Sequence, residues 1–277
     1  MDGQEKLLRE AVRHLLKEES VSYVIGWEPT RFENKTRPAF ITTADDANRL
    51  VWNKFCVSGL AKYALDDRYP SGKIGICVRG CDSRAVCRMI EDKQLSRDNL
   101  YIIGLPCDGK MSDVCDTCTH KNPLIYDELI GALVSETEAD RFASVKLVEN
   151  MTDDERYAFW ESNYSKCIRC YACRNICPAC NCRECYADQE RVGWAGKQMN
   201  TTQNQVYGLT RSYHVGDRCI ECGECDRVCP MSIPVMLQSK KMLKDINELF
   251  GHYECGLPEG RAPVLGEYNL GDADDFM

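Results

Sequence analysis

A chain of 277 residues with 44% apolar residues is long enough for one large domain or two modest ones, with an ordinary buried core. Its formal net charge of −8 argues against nucleic acids and anionic membrane surfaces as partners. Its nineteen cysteines exclude a disulfide framework in the cytosol, where thiols stay reduced, and they indicate metal binding.

The first segments predict a helix, two strands and a second helix. Residues 4–18 carry apolar side chains at helical spacing, and 22–27 and 38–43 have the composition of strands. A further helix is predicted over 48–65, after an aspartate pair suited to its N-cap. The charged N-terminal segment lacks the apolar region of a secretory signal, and no apolar run is long enough for a transmembrane helix. We therefore expect a cytoplasmic protein, peripheral to a membrane only through a partner subunit.

The next three segments predict a βαβ unit. The apolar run 73–78 is suited to a buried parallel strand, 83–94 has the pattern of a helix, and 99–105 has that of another strand. Such a unit is right-handed and places both strands in one parallel sheet. The first half is therefore predicted to be an α/β domain with a short, partly parallel sheet.

Four cysteines fall at one edge of this predicted sheet. The loops that follow the two strands leave from its carboxyl edge, where open α/β sheets bind their ligands. Cys81 lies in the first loop and Cys107 in the second, so the two are expected to face each other. Cys115 and Cys118 follow closely, and the four are candidate ligands of a 4Fe–4S cluster or a structural zinc ion.

The first of these loops also carries Arg79 and Arg84, at the N-terminus of the predicted helix 83–94. A helix N-terminus attracts anions, so the two arginines are candidates for binding a flavin phosphate or another acidic cofactor. The alternative is a surface loop held by salt bridges. No GxGxxG fingerprint follows the preceding strand, so a standard dinucleotide site is absent and FAD stays an open alternative.

The second half contains two copies of one cysteine run. In each copy the cysteines are separated by two, two and three residues and a proline follows the fourth, as in bacterial two-cluster ferredoxins. There the first three cysteines of a run bind one 4Fe–4S cluster and the fourth binds the other, whereas zinc sites typically use separated pairs. The predicted ligands are Cys167, Cys170, Cys173 and Cys229 for one cluster, and Cys219, Cys222, Cys225 and Cys177 for the other.

Cys180, Cys182 and Cys185 follow the first run directly. Their dense spacing is suited to a further zinc or iron site, and the alternative is a group of free thiols beside the clusters. Three other cysteines are expected in the hydrophobic core, because each lies within a predicted helix or strand: Cys56, Cys77 and Cys87.

The cysteine distribution also predicts two domains. Residues 1–155 form the α/β domain with a cysteine-ligated metal centre, and 156–277 form a ferredoxin-like α+β domain with two 4Fe–4S clusters. The connection 178–218 between the two runs is unusually long. The acidic tail 268–277 is expected to be a docking segment or a disordered end.

Five segments together carry a family resemblance. LVWNKFCVSGLAKYAL, GICVRGCDSRAV and YIIGLPCDG resemble the N-terminal part of the coenzyme F-420 (deazaflavin) hydrogenase/dehydrogenase beta subunits. CIRCYACRNICPACNCRECY resembles the formate-dehydrogenase-beta-like members of that family. CIECGECDRVCPMSIPVMLQ and the later ELFGHYECGL are similar to dicluster subunits of hydrogenases, formate dehydrogenases and heterodisulfide-reductase-like complexes.

This resemblance implies an iron–sulfur subunit of an anaerobic oxidoreductase complex, with other subunits and a soluble or protein-bound electron carrier as partners. On this interpretation the chain passes single electrons between a catalytic subunit and the carrier and has no catalytic residue of its own. Family members commonly bind FAD, so the alternative is a flavin-bearing subunit that exchanges hydride with deazaflavin or NAD(P). A zinc-stabilised scaffold is the third hypothesis.

Overall fold

The computed structural model describes residues 2–69, 72–109, 111–136, 138–189, 193 and 196–258. The strands are β1 (Tyr23–Pro29), β2 (Thr36–Ile41), β3 (Ile74–Val78), β4 (Leu100–Gly104) and β5 (Glu128–Leu129). The α-helices are α1 (Asp2–Lys17), α2 (Gly80–Glu91), α3 (Lys146–Glu149), α4 (Asp153–Ser165), α5 (Ala172–Asn175), α6 (Thr201–Val215), α7 (Glu224–Arg227) and α8 (Val235–Phe250).

The five strands form one mixed sheet in the order β2-β1-β3-β4-β5. β2 pairs antiparallel with β1, and every other neighbouring pair is parallel. β1 and β3 are buried along nearly all of their length, which explains why the sequence shows continuous apolar runs there. The α/β character predicted for the first half is therefore confirmed.

The predicted βαβ unit corresponds to β3, α2 and β4, but α2 begins earlier than the sequence indicates. Its first residue is Gly80, so Cys81 lies in the first helical turn and not in the preceding loop. The Asp82 carboxylate explains the early start. It accepts the backbone N–H of Arg79 (3.3 Å) and that of Leu60 (3.1 Å), and thereby caps the helix and fastens it to the neighbouring loop.

The helix predicted over 48–65 is wrong. Short 3₁₀ helices occur at Asp45–Arg49 and Ala61–Leu65, and an extended loop joins them. In that loop the backbone bonds to distant side chains: the Gly59 N–H donates to Glu224 Oε1 at 2.7 Å. The apolar side chains still reach the core, so the pattern of buried residues does not distinguish this loop from a helix.

In the second half, helices surround the two cysteine runs. α6 lies within the long connection between the runs and packs on α4 through Gly208, where a Cβ atom would lie 2.1 Å from the ring of Tyr164. The Tyr164 hydroxyl donates to Gln238 Oε1 of α8 (2.6 Å), which ties the three helices together. Among the described residues after 155 no β-strand occurs, and the ferredoxin-like α+β fold is not confirmed.

One hydrophobic core joins the two halves. Ile220, Leu243 and Tyr253 pack in the same cluster as the sheet residues Ile76 and Ile102. The division at residue 155 stays a prediction, and the acidic tail lies outside the described residues. Within the described part of the chain, no helix has the length and apolar character needed to cross a membrane.

Candidate metal centres

The predicted ligands of each ferredoxin-type cluster line a common cavity. Site I is the cavity surrounded by Cys167, Cys170, Cys173 and Cys229. Site II is the cavity surrounded by Cys219, Cys222, Cys225 and Cys177. In each site three cysteines come from one run and the fourth comes from the other. The fold thus brings the eight cysteines together in a crossed arrangement.

The two runs fold alike because their loops share an uncommon backbone conformation. Arg169 and Tyr171 have φ angles of 49° and 58°, and the equivalent Glu221 and Gly223 have 60° and 72°. Left-handed backbone costs roughly 1–2 kcal/mol at a non-glycine residue, and such strain concentrates at functional sites. It turns the amides of Arg169 and Glu221 toward the first sulfur of each run, at 3.4 Å. N–H groups placed in this way stabilise thiolate ligands.

A third four-cysteine cavity lies at the carboxyl edge of the sheet. Site III is surrounded by Cys81, Cys107, Cys115 and Cys118. Parallel pairing of β3 with β4 places the first two cysteines at the same edge, and a 3₁₀ helix at Asp113–Thr117 supplies the others. The following loop presses on α2 at Gly80, where a Cβ atom would lie 2.1 Å from the His120 carbonyl oxygen. Only glycine permits this close approach.

Arg79 and Arg84, the candidate anion-binding residues, both line site III. Arg79 Nε donates to Asp82 Oδ2 (2.6 Å), and Arg84 Nη2 donates to the Cys255 carbonyl oxygen (2.9 Å). Both side chains are buried. Their guanidinium groups are therefore held by protein groups and form part of the wall of the cysteine cavity.

Two further cations at site III escape the sequence-based prediction. Arg141 Nε donates to Glu221 Oε1 at 2.7 Å. Lys240 is 2% exposed, and its Nζ donates to Thr117 Oγ1 and to the Arg141 carbonyl oxygen, both at 3.0 Å. Burial lowers the pKa of Lys240. Its sequence signal is a lysine on the apolar face of α8, whereas no local pattern marks Arg141.

The chemistry of the cysteines fits metal binding. Burial raises the pKa of the Cys107 thiol to about 11 and that of Cys219 to about 12. These thiols therefore keep their protons at neutral pH until a metal supplies compensating positive charge. Among the described residues, no three His, Cys, Asp or Glu side chains converge closely enough to hold a single metal ion. Sets of four soft sulfur donors around a cavity fit a 4Fe–4S cluster.

The three sites are adjacent and follow one another in a row. Arg211 lines both site I and site II, and Cys222 lines both site II and site III. Site II is therefore the middle of the three.

Cys180, Cys182 and Cys185 line a separate cavity of about 390 Å³ together with His214. Cys180 also contacts site II, because its thiol hydrogen-bonds to Cys177 and lowers the pKa of that thiol. The same bond raises the pKa of Cys180 itself. This group is thus beside the predicted clusters, where both of its interpretations place it.

The remaining cysteines are buried in the core. Cys56, Cys77 and Cys87 are at most 6% exposed, as expected for core residues, and Cys255 is 1% exposed. None of these four is among the residues that line sites I, II and III.

Comparison with known proteins agrees with this arrangement. Residues 163–233, which contain all eight cysteines of the two runs, match the family model of the 4Fe-4S dicluster domain. Over 83 residues, or 29% of the chain, it is 35% identical to a component of the ion-translocating oxidoreductase complex of Buchnera aphidicola and covers 15% of that protein.

Two relatives match most of the chain. The F420-dependent formate dehydrogenase subunit beta of Methanocaldococcus jannaschii is 21% identical, with 82% of this chain and 85% of the relative covered. The F420-dependent formate dehydrogenase 1 subunit beta of Methanococcus maripaludis is 22% identical, with 83% and 84% covered. The chain therefore belongs to the coenzyme F420 hydrogenase/dehydrogenase beta-subunit family, of the formate-dehydrogenase-beta-like type, and carries a 4Fe-4S dicluster domain.

Proposed function

We propose that this chain is the electron-transfer subunit of a formate-dehydrogenase-like oxidoreductase complex and passes single electrons through three 4Fe–4S clusters. The observation that carries the proposal is the grouping of cysteines into three adjacent cavities with four cysteines each. Electron transfer slows steeply with distance, so clusters in neighbouring cavities with shared walls are suited to stepwise transfer. Other subunits of the complex supply the catalytic site and the electron carrier.

In this proposal the eight ferredoxin-type cysteines bind clusters at sites I and II, and residues 156–277 act as a ferredoxin-type dicluster domain. The four cysteines of site III bind the third cluster within residues 1–155. The chain acts in the cytoplasm and reaches a membrane only through a partner subunit. Cys180, Cys182 and Cys185 stay candidate ligands of a further zinc or iron site.

The chain's own residues hold and shield these ligands. When bound, each cluster accepts and releases one electron at a time. The amides of Arg169 and Glu221 donate to ligand sulfurs in sites I and II. Tyr164 and Val235 are buried against site I and exclude water from its inner wall. Hydrogen bonds to sulfur and burial are the means by which a protein tunes cluster potentials.

Site I is the proposed contact with a partner subunit. Cys170 is exposed, and the neighbouring Ile168 is 50% exposed. Site I is also one end of the row of three sites. Electrons are therefore proposed to cross the protein surface there and to pass through site II to site III, or in the opposite direction.

A flavin-bearing subunit that exchanges hydride with deazaflavin or NAD(P) is the second candidate function. The observation in its favour is the name of the two relatives that match most of the chain, both called F420-dependent. A flavin can split a hydride into two single electrons for the clusters.

An anaerobic reductive titration distinguishes these functions. We expect the isolated chain to take up about three electrons from dithionite, one for each cluster. We also expect it to contain no stoichiometric flavin and to stay oxidised when NADH, NADPH or reduced deazaflavin is added. Bleaching by one of these hydride donors, with one flavin per chain, would contradict the proposal and support the second candidate.

A further inference from the structure

Arg211 occupies the junction between sites I and II. It lies on α6, is 4% exposed and lines both sites. It also lines the cavity of Cys180. Its Nη2 donates to the Cys173 carbonyl oxygen at 3.0 Å. A positive charge is therefore fixed between the two sites predicted to hold the dicluster centres.

The guanidinium group of Arg211 has few protein partners. Its Nε and Nη1 are buried and have no hydrogen-bond partner among the described residues. Within the same part of the chain it forms no ion pair with a carboxylate. Asp226, which is close enough to feel its charge, instead accepts the Met236 N–H at 2.7 Å. An unpaired buried cation is strongly unfavourable, so this group is suited to an anionic neighbour.

Other buried arginines differ from Arg211 in this respect. Arg79 pairs with Asp82 (2.6 Å) and Arg84 pairs with Glu254 (3.2 Å). Arg169 also lacks a carboxylate partner among the described residues, but of the three sites it lines only site I. Arg211 is thus distinguished by its position between two sites and not by burial alone.

The sulfur atoms around Arg211 supply the anionic neighbours. Burial alone would lower the pKa of Arg211, but the neighbouring sulfurs of Cys177 and Cys225 raise it well above its usual range. These two cysteines both belong to site II, whereas the carbonyl that accepts from Arg211 belongs to Cys173 of site I. The charge interacts with both sites at short range.

We propose that Arg211 sets the reduction potentials of the two dicluster centres and raises both of them. Reduction adds a negative charge to a cluster, and a fixed cation stabilises the reduced form. Because one charge acts on both centres, it also keeps their potentials close together, which suits transfer of an electron in either direction. This inference rests on the proposed function, since it requires clusters at sites I and II.

The test is a redox titration of Arg211→Met and Arg211→Lys, monitored by electron paramagnetic resonance without oxygen. We expect at least a tenfold decrease in the reduction equilibrium constant of both dicluster centres in Arg211→Met, which is about 59 mV for one electron. Arg211→Lys keeps the charge and should recover most of this shift. Unchanged potentials in Arg211→Met, or equal shifts in both variants, would overturn the inference.

Arg218→Met is the matched control. Arg218 lines the Cys180 cavity but not sites I or II, and it pairs with Asp92. Removal of this charge should change both potentials by less than half as much. An equal shift in the control would mean that overall charge, and not the position of Arg211, sets the potentials.

Iron and sulfide contents of all variants separate this inference from the proposed function. Wild-type protein without the two dicluster signals would contradict the proposed function itself. Wild-type signals with unchanged Arg211→Met potentials would overturn only the role of Arg211. If Arg211→Met loses iron, the comparison of Arg211→Lys with Arg211→Gln replaces it, with the same expected order of potentials.

Discussion

Replacement of Cys229 by alanine is expected to degrade the cluster at site I, although Cys229 belongs to the run that supplies most of site II. The reason is the crossed arrangement, in which the fourth cysteine of each run lines the other run's cavity. Each single replacement of a ligand should remove one cluster, or about four of about twelve irons. Iron and sulfide analysis combined with electron paramagnetic resonance gives the number of clusters that remain.

Double variants show which cysteines share a cluster. Cys170→Ala with Cys229→Ala should lose one cluster, because both residues line site I. Cys170→Ala with Cys177→Ala should lose two, because Cys177 lines site II. The reverse result, with two clusters lost in the first pair and one in the second, would show that each run binds its own cluster and that the crossed assignment is wrong.

The second large effect is expected at site III. Cys118→Ala should remove about four irons and leave the dicluster signals of sites I and II intact. Cys118 lines site III only, whereas Cys222 is shared with site II. Metal analysis and the spectrum of the reduced protein measure both expectations.

Cys87→Ala is the control for this variant. Cys87 lies on α2 like Cys81 but is buried in the core away from the site III lining. It should keep all of the iron. If Cys118→Ala keeps its full iron content, or loses about one zinc ion instead, the assignment of a third cluster fails.

The sequence predicts the groups of cysteines better than it predicts the backbone around them. The spacing within each run is local, and the chemistry of a four-iron cluster restricts it. At site III, the prediction depends on a short βαβ unit whose strands are apolar and whose handedness has few exceptions. In both cases a local pattern and a general rule are sufficient to bring distant residues together.

Features that depend on tertiary contacts are harder to predict. The loop that replaces the predicted helix 48–65 bonds through Gly59 to Glu224, more than 160 residues later in the chain (|i−j| = 165). Arg211 has no local signal, because its role comes from the packing of α6 between the two runs. Lys240 is an intermediate case, since a lysine on the apolar face of a helix is visible in the sequence although its partners are not.

The most direct test of the three-cluster account is the iron and acid-labile sulfide content of wild-type protein purified without oxygen. We predict about twelve irons and about twelve sulfides per chain, four of each for every site. About eight of each would contradict the cluster at site III. Zinc in place of iron, in a colourless protein, would contradict the electron-transfer function as a whole.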